Sequence, residues 1–318
     1  LSFYIFGMIK VCHIISGDLW AGAEVMACHL LRELVLTEEL RLYVLLLNDG
    51  RLAAELREAG LSVTVFDESR CSFTKLAGEV RNFLKKDPPD LIHSHRYKEN
   101  LLALMGSAGS PRTRLIATQH GLPEENGLSL LQGAKVRANF FLMSRFFDRT
   151  VAVSRDIRDH LVQSLGFRDD RVAVIHNGVP IPSENVSPAS CVAGFRIGSS
   201  GRLCQVKDYP LMVAVASIVC AKRQARFLLA GEGSCRGEIA ASITARGLDG
   251  RFVLAGHLDD MDSFYRGLDL YLNTSRHEGI PMTILEAMAR GVPVVAPAVG
   301  GDRRDRRARR GGVPGRRA

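Results

Sequence analysis

An α/β fold of two doubly wound, Rossmann-like domains is predicted by three observations. Short apolar runs alternate with longer amphipathic segments from Met8 onward. The alternation breaks at Gly178–Ala193 (GVPIPSENVSPASCVA), a Pro/Ser-rich stretch with no apolar period. It then restarts with the same succession of strand, glycine-bearing turn and helix. Buried parallel strands read as short apolar runs and each crossover between them needs a helix, so this alternation is the pattern of a parallel sheet covered on both faces.

In the first half, strands are predicted near Ile9–Ile15, Leu42–Leu47, Val63–Phe66, Leu91–Ile92, Leu115–Ala117, Val151–Val153 and Val172–Ile175. Helices between them include Glu24–Leu36, Thr74–Lys86, Leu128–Phe147 and Asp156–Leu165. The second half offers strands at Phe195–Ile197, Phe227–Leu229, Phe252–Leu254, Leu270–Leu272 and Val292–Val295. Its helices fall at Tyr209–Ala221, Glu238–Ala245 and Pro281–Arg290. The domains expected are residues 8–180 and 194–301, joined by a linker at 181–193 and facing a cleft, where doubly wound sheets bind ligands. The second, at about 110 residues, is small for such a domain and reads as truncated at its C-terminal end.

Composition bounds the function. The chain of 318 residues is 46% apolar and 24% charged, which excludes collagen-like, disulfide-scaffold and disordered classes. Its longest apolar run, Leu211–Ala221, is too short to span a bilayer and reads as a buried helix. No signal peptide is expected, and Met8 is the more natural start than Leu1–Gly7. Seven cysteines with no C-x-x-C pair fit reduced thiols in a cytoplasmic protein. The net charge of +8 belongs mainly to residues 302–318, whose eight arginines and two aspartates give +6. That tail is expected to be disordered, with the composition of a frame-shifted reading of a GC-rich gene. A nucleic-acid-binding face would need its basic residues on folded surface, so nucleic acid is not an expected partner.

The most informative segment is His277–Gly300, HEGIPMTILEAMARGVPVVAPAVG. Glu278 and Glu286 are separated by seven residues, with Pro281 expected at the first helical position. Glu278 then lies in the loop at the helix mouth and Glu286 about one and a half turns in. Unbonded N–H groups near Met282 and Thr283 would make an anion site at the helix N-terminus. The plainer alternative is that Glu278 complements the helix dipole and Glu286 is solvated.

The E-x7-E pair with EAMARGVPVVA resembles the signature of the GT-B glycosyltransferases, specifically the retaining family 4, or group 1. Other segments match in order: WAGAE, ATQHG, VSRDIRDHL, VIHNGVP, GSSGRLCQVKDYP and FLLAGEG. Two positions depart from the family pattern. Ala21-Gly22-Ala23 stands for the usual Gly-Gly pair, and Asp208 stands where a Gly often follows the lysine.

The resemblance implies transfer of a sugar from a nucleotide-sugar donor to a glycan or lipid-linked acceptor, with retention. It implies donor contacts from Gly22, Arg202, Lys207, Glu278, Gly279, Ile280, Pro281, Met282, Thr283 and Glu286. Glu278 would touch the transferred sugar, Glu286 the ribose, and His120 would lie near the anomeric carbon. Arg202, Lys207, Glu278 and His120 form the catalytic set. Arg202 and Lys207 would stabilise the departing diphosphate, so neither metal nor other cofactor is expected. Another GT-B activity, an epimerase or phosphorylase, and an inactive truncated fragment are the alternatives.

Four further signals carry plainer readings. Gly231, Gly233 and Gly237 only loosely match a dinucleotide fingerprint. Asp260 of the D-x-D at 260–262 is expected to cap a helix. His93 and His95 share a strand face at zinc-compatible spacing, but no further ligand is evident to complete a site. Lys135–Arg149 interleaves basic and aromatic residues on a helix, which reads as a core helix with a basic rim or as a contact for an anionic membrane at the cytoplasmic face.

Overall fold

The computed structural model describes residues 8–18, 20–122, 129–182 and 194–299. The tail at 302–318 and residues 183–193 of the expected linker lie outside them. The chain divides into two compact units, Leu1–Asn177 and Gly178–Ala318. No helix among the described residues is long and apolar enough to cross a membrane.

The first unit runs β1 (Ile9–Ile15), α1 (Gly22–Leu34), β2 (Leu40–Leu46), α2 (Arg51–Glu58), β3 (Ser62–Val65), α3 (Phe73–Lys86), β4 (Leu91–Ser94), α4 (Tyr97–Ser107), β5 (Arg114–Gln119), α5 (Leu130–Phe146), β6 (Arg149–Ala152), α6 (Arg155–Gln163) and β7 (Val172–Val174). Its seven strands are ordered β3-β2-β1-β4-β5-β6-β7 and all pair in parallel. Strand order reverses between β1 and β4, where the loops leaving the two strands diverge and open a crevice. The central strands are apolar on both faces. Ile14, Leu45, Ile92 and Ala117 pack under α3 to α6, while Ile15, Val44 and Leu46 pack under α1 and α2.

The second unit runs β8 (Phe195–Ser200), α7 (Tyr209–Lys222), β9 (Ala225–Ala230), α8 (Arg236–Ala245), β10 (Phe252–Gly256), α9 (Met261–Arg266), β11 (Leu270–Leu272), α10 (Met282–Ala289) and β12 (Val294–Val295). Its sheet is β10-β9-β8-β11-β12, again parallel, with the reversal between β8 and β11.

Most element ends follow local chemistry. Ser129 and Gln132 form a reciprocal capping box, so α5 starts two residues later than the apolar pattern suggests. Asp260 accepts from the Ser263 N–H and caps α9, as expected. Two expectations are corrected. Pro281 is the N-cap of α10 and not its first helical residue, because its ψ of 123° is extended. The apolar run in α7 is not buried all round: Met212, Val213 and Ala216 are in the core, whereas Leu211 and Ile218 are 47% and 59% exposed. A surface helix buries one stripe, and an unbroken apolar run hides where that stripe ends.

Candidate active site

The glycine turns of the second unit are fixed by close backbone approach. A Cβ at Gly231 would overlap the carbonyl oxygen of Gly201, and one at Gly233 would overlap that of Leu203. Both glycines have positive φ, 132° and 159°. The Leu203 N–H donates to Glu232 O at 2.8 Å and the Cys235 N–H donates to Leu203 O at 2.9 Å, tying the two turns together. These glycines therefore hold the loop that carries Arg202 and Lys207, which accounts for them without a dinucleotide. Arg202 is exposed on that loop.

Lys207 ends a short 3-10 turn, and Asp208 reverses the chain in left-handed geometry before α7 begins. The Lys207 ammonium donates to Glu278 Oε1, which also accepts from Ser275 Oγ at 2.6 Å. Thr274 Oγ1 donates to the Lys207 carbonyl at 2.9 Å, and Arg276 Nε donates to Asp208 Oδ2 at 2.8 Å. The loop after β11 is thus laced to the loop after β8 across the strand-order reversal. Lys207, Ser199, Ser200, Asn273, Ser275 and Thr283 line one narrow polar recess there.

At the mouth of α10 the N-cap is a proline, which offers no side-chain acceptor. The first bonds back to Pro281 O come from Ile284 and Leu285, so the helix starts at Met282 and Thr283 without a side-chain cap from its N-cap residue. Gly279 and Ile280 form the approach to it; Ile280 is buried. Glu286, one turn in, is not merely solvated. Its Oε2 accepts from the fully buried Tyr265 hydroxyl at 2.6 Å. Tyr265 in turn meets Ser200 Oγ at 3.1 Å, and Tyr271 OH lies 3.2 Å from the same oxygen. Sequence reasoning missed Ser200, Tyr265, Tyr271 and Ser275. Each reaches the site from a different element, and only the position of Ser199-Ser200 at a strand end hinted at it.

In the first unit, Gly22 opens α1 as its first residue and is exposed. His120 follows β5, and its Nε2 lies 3.3 Å from Nδ1 of His95. Burial, with Arg96 and His93 nearby, holds the His120 imidazole down to about 3. It is therefore neutral at physiological pH and can hydrogen-bond but not act as a standing cation. Burial lowers His93 to about 4 as well, and pushes His13 and His95 down.

The expectation that His93 and His95 lack a further ligand is corrected. His13 on β1 joins them, with one nitrogen of each ring within 4.8 Å of the others. The third ring comes from a strand that is distant in sequence and adjacent in the sheet.

Two family models match the chain: "Glycosyltransferase Family 4" over residues 20–181 and "Glycosyl transferases group 1" over 194–312. The chain is 38% identical over 108 residues to a 2-deoxystreptamine glucosyltransferase of Streptomyces kanamyceticus, covering 33% of this chain and 28% of that protein. It is 21% identical to the Escherichia coli UDP-Gal:alpha-D-GlcNAc-diphosphoundecaprenol alpha-1,3-galactosyltransferase, over 92% of this chain and 80% of that protein. Among solved structures, Anabaena Alr3699/HepE in complex with UDP and glucose superposes with a TM-score of 0.79 at 24% identity, over 92% of this chain and 82% of that one.

Proposed function

The chain belongs to the group 1 glycosyltransferases of family 4 and has their GT-B α/β fold, and on that premise we propose that it moves a hexosyl group from a nucleoside-diphosphate sugar to a glycan or lipid-linked acceptor with retention of configuration. The observation that carries this reading is the Lys207–Glu278–Ser275 cluster beside the N-terminus of α10.

When the bond between the anomeric carbon and the diphosphate breaks, its electron pair stays on the leaving oxygen and negative charge grows there. Lys207 would exchange Glu278 for that phosphate, with Arg202 and the N–H groups of Met282 and Thr283 as further donors. Glu278, released, becomes an acceptor for hydroxyls of the transferred sugar, positioned by Ser275. Glu286, whose rotamer Tyr265 fixes, accepts from the ribose hydroxyls. Gly279, Ile280 and Pro281 shape the loop between them. The family resemblance would give Gly22 and His120 of the first unit roles toward the donor as well, Gly22 as a residue that allows close backbone approach and His120 as a neutral hydrogen-bonding group. These cations and dipoles supply the charge a metal would bring, so donor binding is expected to persist in chelator. UDP in a solved relative and a UDP-galactose transferase among the similar proteins support the donor class.

Incubating labelled nucleotide sugars with and without acceptor glycans tests this reading. Acceptor-dependent appearance of label in glycan is expected. Conversion of the donor sugar without any acceptor would favour an epimerase instead.

A second reading, peripheral membrane contact at the cytoplasmic face, is favoured by α5. Phe140, Met143 and the following Phe147 face the core, while Leu131 and Phe141 are 76% and 64% exposed on the face that carries Lys135 and Arg145. Flotation with anionic vesicles is expected, and Phe141→Ser should reduce it. Flotation that the substitution leaves unchanged would remove α5 as the contact.

A further inference from the structure

We propose that His13, His93 and His95 form a binding site for a late first-row divalent cation, Zn2+ or Co2+, at the carboxyl edge of the first sheet. His13 and His93 are directly paired in the β1–β4 register, and His95 lies two residues beyond His93 on the same side of the chain. The ring centroids of His13 and His93 are 4.8 Å apart, and those of His93 and His95 4.4 Å. One nitrogen of each ring lies within 4.8 Å of the other two. Zn–N bonds of about 2.1 Å place tetrahedral ligands about 3.4 Å apart, so side-chain rotations closing the set by about 1.4 Å complete it.

The independent observation is unspent hydrogen-bonding capacity. His13 is 1% and His95 3% exposed, yet both nitrogens of His13 and Nε2 of His95 have no hydrogen-bond partner. Each such buried group costs about 1–3 kcal/mol, and native interiors rarely leave several unpaired in one place. A cation takes one nitrogen of each ring, which satisfies His95 Nε2 and one of the two His13 nitrogens.

The outer contacts fit the same assignment. His93 Nε2 is 2.8 Å from Thr118 Oγ1, and His95 Nδ1 is 3.3 Å from His120 Nε2. Ligating histidines ordinarily engage their second ring nitrogen in this way. Arg96 lies close enough to repel a cation, but its own charge is met by Glu24 at 2.6 Å and Asp18 at 3.4 Å. A set of three imidazoles selects zinc-like ions over magnesium or calcium, which prefer oxygen.

The assignment has a consequence for His120. With the cation on Nε2 of His95, the proton of His95 sits on Nδ1 and donates to Nε2 of His120. His120 then keeps its own proton on Nδ1, in a single tautomer. The cation holds the first unit's edge in one arrangement and takes no part in breaking the donor bond.

The test is titration of the chelator-treated protein with Co2+, read by its visible absorption, followed by displacement with Zn2+ and metal analysis after gel filtration. One ion per chain is expected. His13→Asn and His93→Asn should each weaken binding at least about 100-fold, since loss of an outer partner alone costs 10–100-fold. His257→Asn, at an exposed histidine of the second unit, should leave it unchanged. If the variants do not fold, X-ray absorption at the zinc edge of loaded wild type should count three imidazole nitrogens near 2.0–2.1 Å. No stoichiometric ion, binding indifferent to His13 and His93, or a shell with fewer than three imidazoles would overturn the proposal.

Discussion

Asp208 is the one non-glycine with positive φ among the described residues, at φ 48° and ψ 48°. Left-handed backbone costs an L-residue about 1–2 kcal/mol, less for aspartate. That explains both the glycine usual at this place in the family and the tolerance for aspartate, which Arg276 holds in an ion pair. Asp208→Gly is expected to change stability by less than about 1 kcal/mol, because relief of backbone strain offsets loss of a pair whose arginine is exposed. Asp208→Val should cost about 2 kcal/mol by urea denaturation. Equal effects of the two would contradict the assignment of strain. Glu99 carries a second prediction. It is 1% exposed, and burial, opposed by Arg96, raises its carboxyl to about 7. The folded state therefore binds its proton more tightly than the unfolded chain does. The stability it contributes is full below about pH 4.5 and is lost as pH rises to about 7. Glu99→Gln should flatten that part of the profile and be the more stable form at pH 8, by about 2 kcal/mol. An unchanged profile would mean that Glu99 is ionised in the folded protein.

Strands were legible from apolar runs because both sheets are buried on two faces, and β1 and β11 fall where those runs lie. Edges were less so: β12 keeps only Val294 and Val295 of the four-residue run, since pairing with β11 stops there. Motif residues contiguous in sequence, such as Lys207 and Glu278, were legible as candidates. Tyr265, Ser275 and His13 were not, because strand register and helix docking bring them in from elsewhere. Two element-scale predictions follow from what those contacts do. Gly231→Ala puts a methyl group into the Gly201 carbonyl and should destabilise by about 3 kcal/mol, with donor binding lost through displacement of the Arg202 loop. Tyr265→Phe removes the donor to Glu286 and should cost about 1–2 kcal/mol in the melting of the second unit. Wild-type stability in either variant would contradict the roles assigned to these contacts.

At the scale of the molecule, two parallel sheets each reverse strand order once, and at each reversal the structure concentrates polar groups: four histidines in the first unit, and the Lys207–Glu278 pair with its hydroxyl network in the second. Composition and periodicity suffice for this architecture, since alternation of buried strands and covering helices leaves few other solutions. They carry no information on base, sugar or acceptor, which depend on side chains brought together only by folding. The central claim is that the second unit binds a nucleoside-diphosphate sugar through Lys207. Calorimetric titration with UDP-, GDP- and ADP-sugars, paired with Lys207→Ala, tests it most directly. Saturable binding of one nucleotide, weakened about 10–100-fold in the variant, is the predicted result, the loss of one charge-assisted contact. Binding that Lys207→Ala leaves unchanged, or none at all to a folded protein, would contradict it.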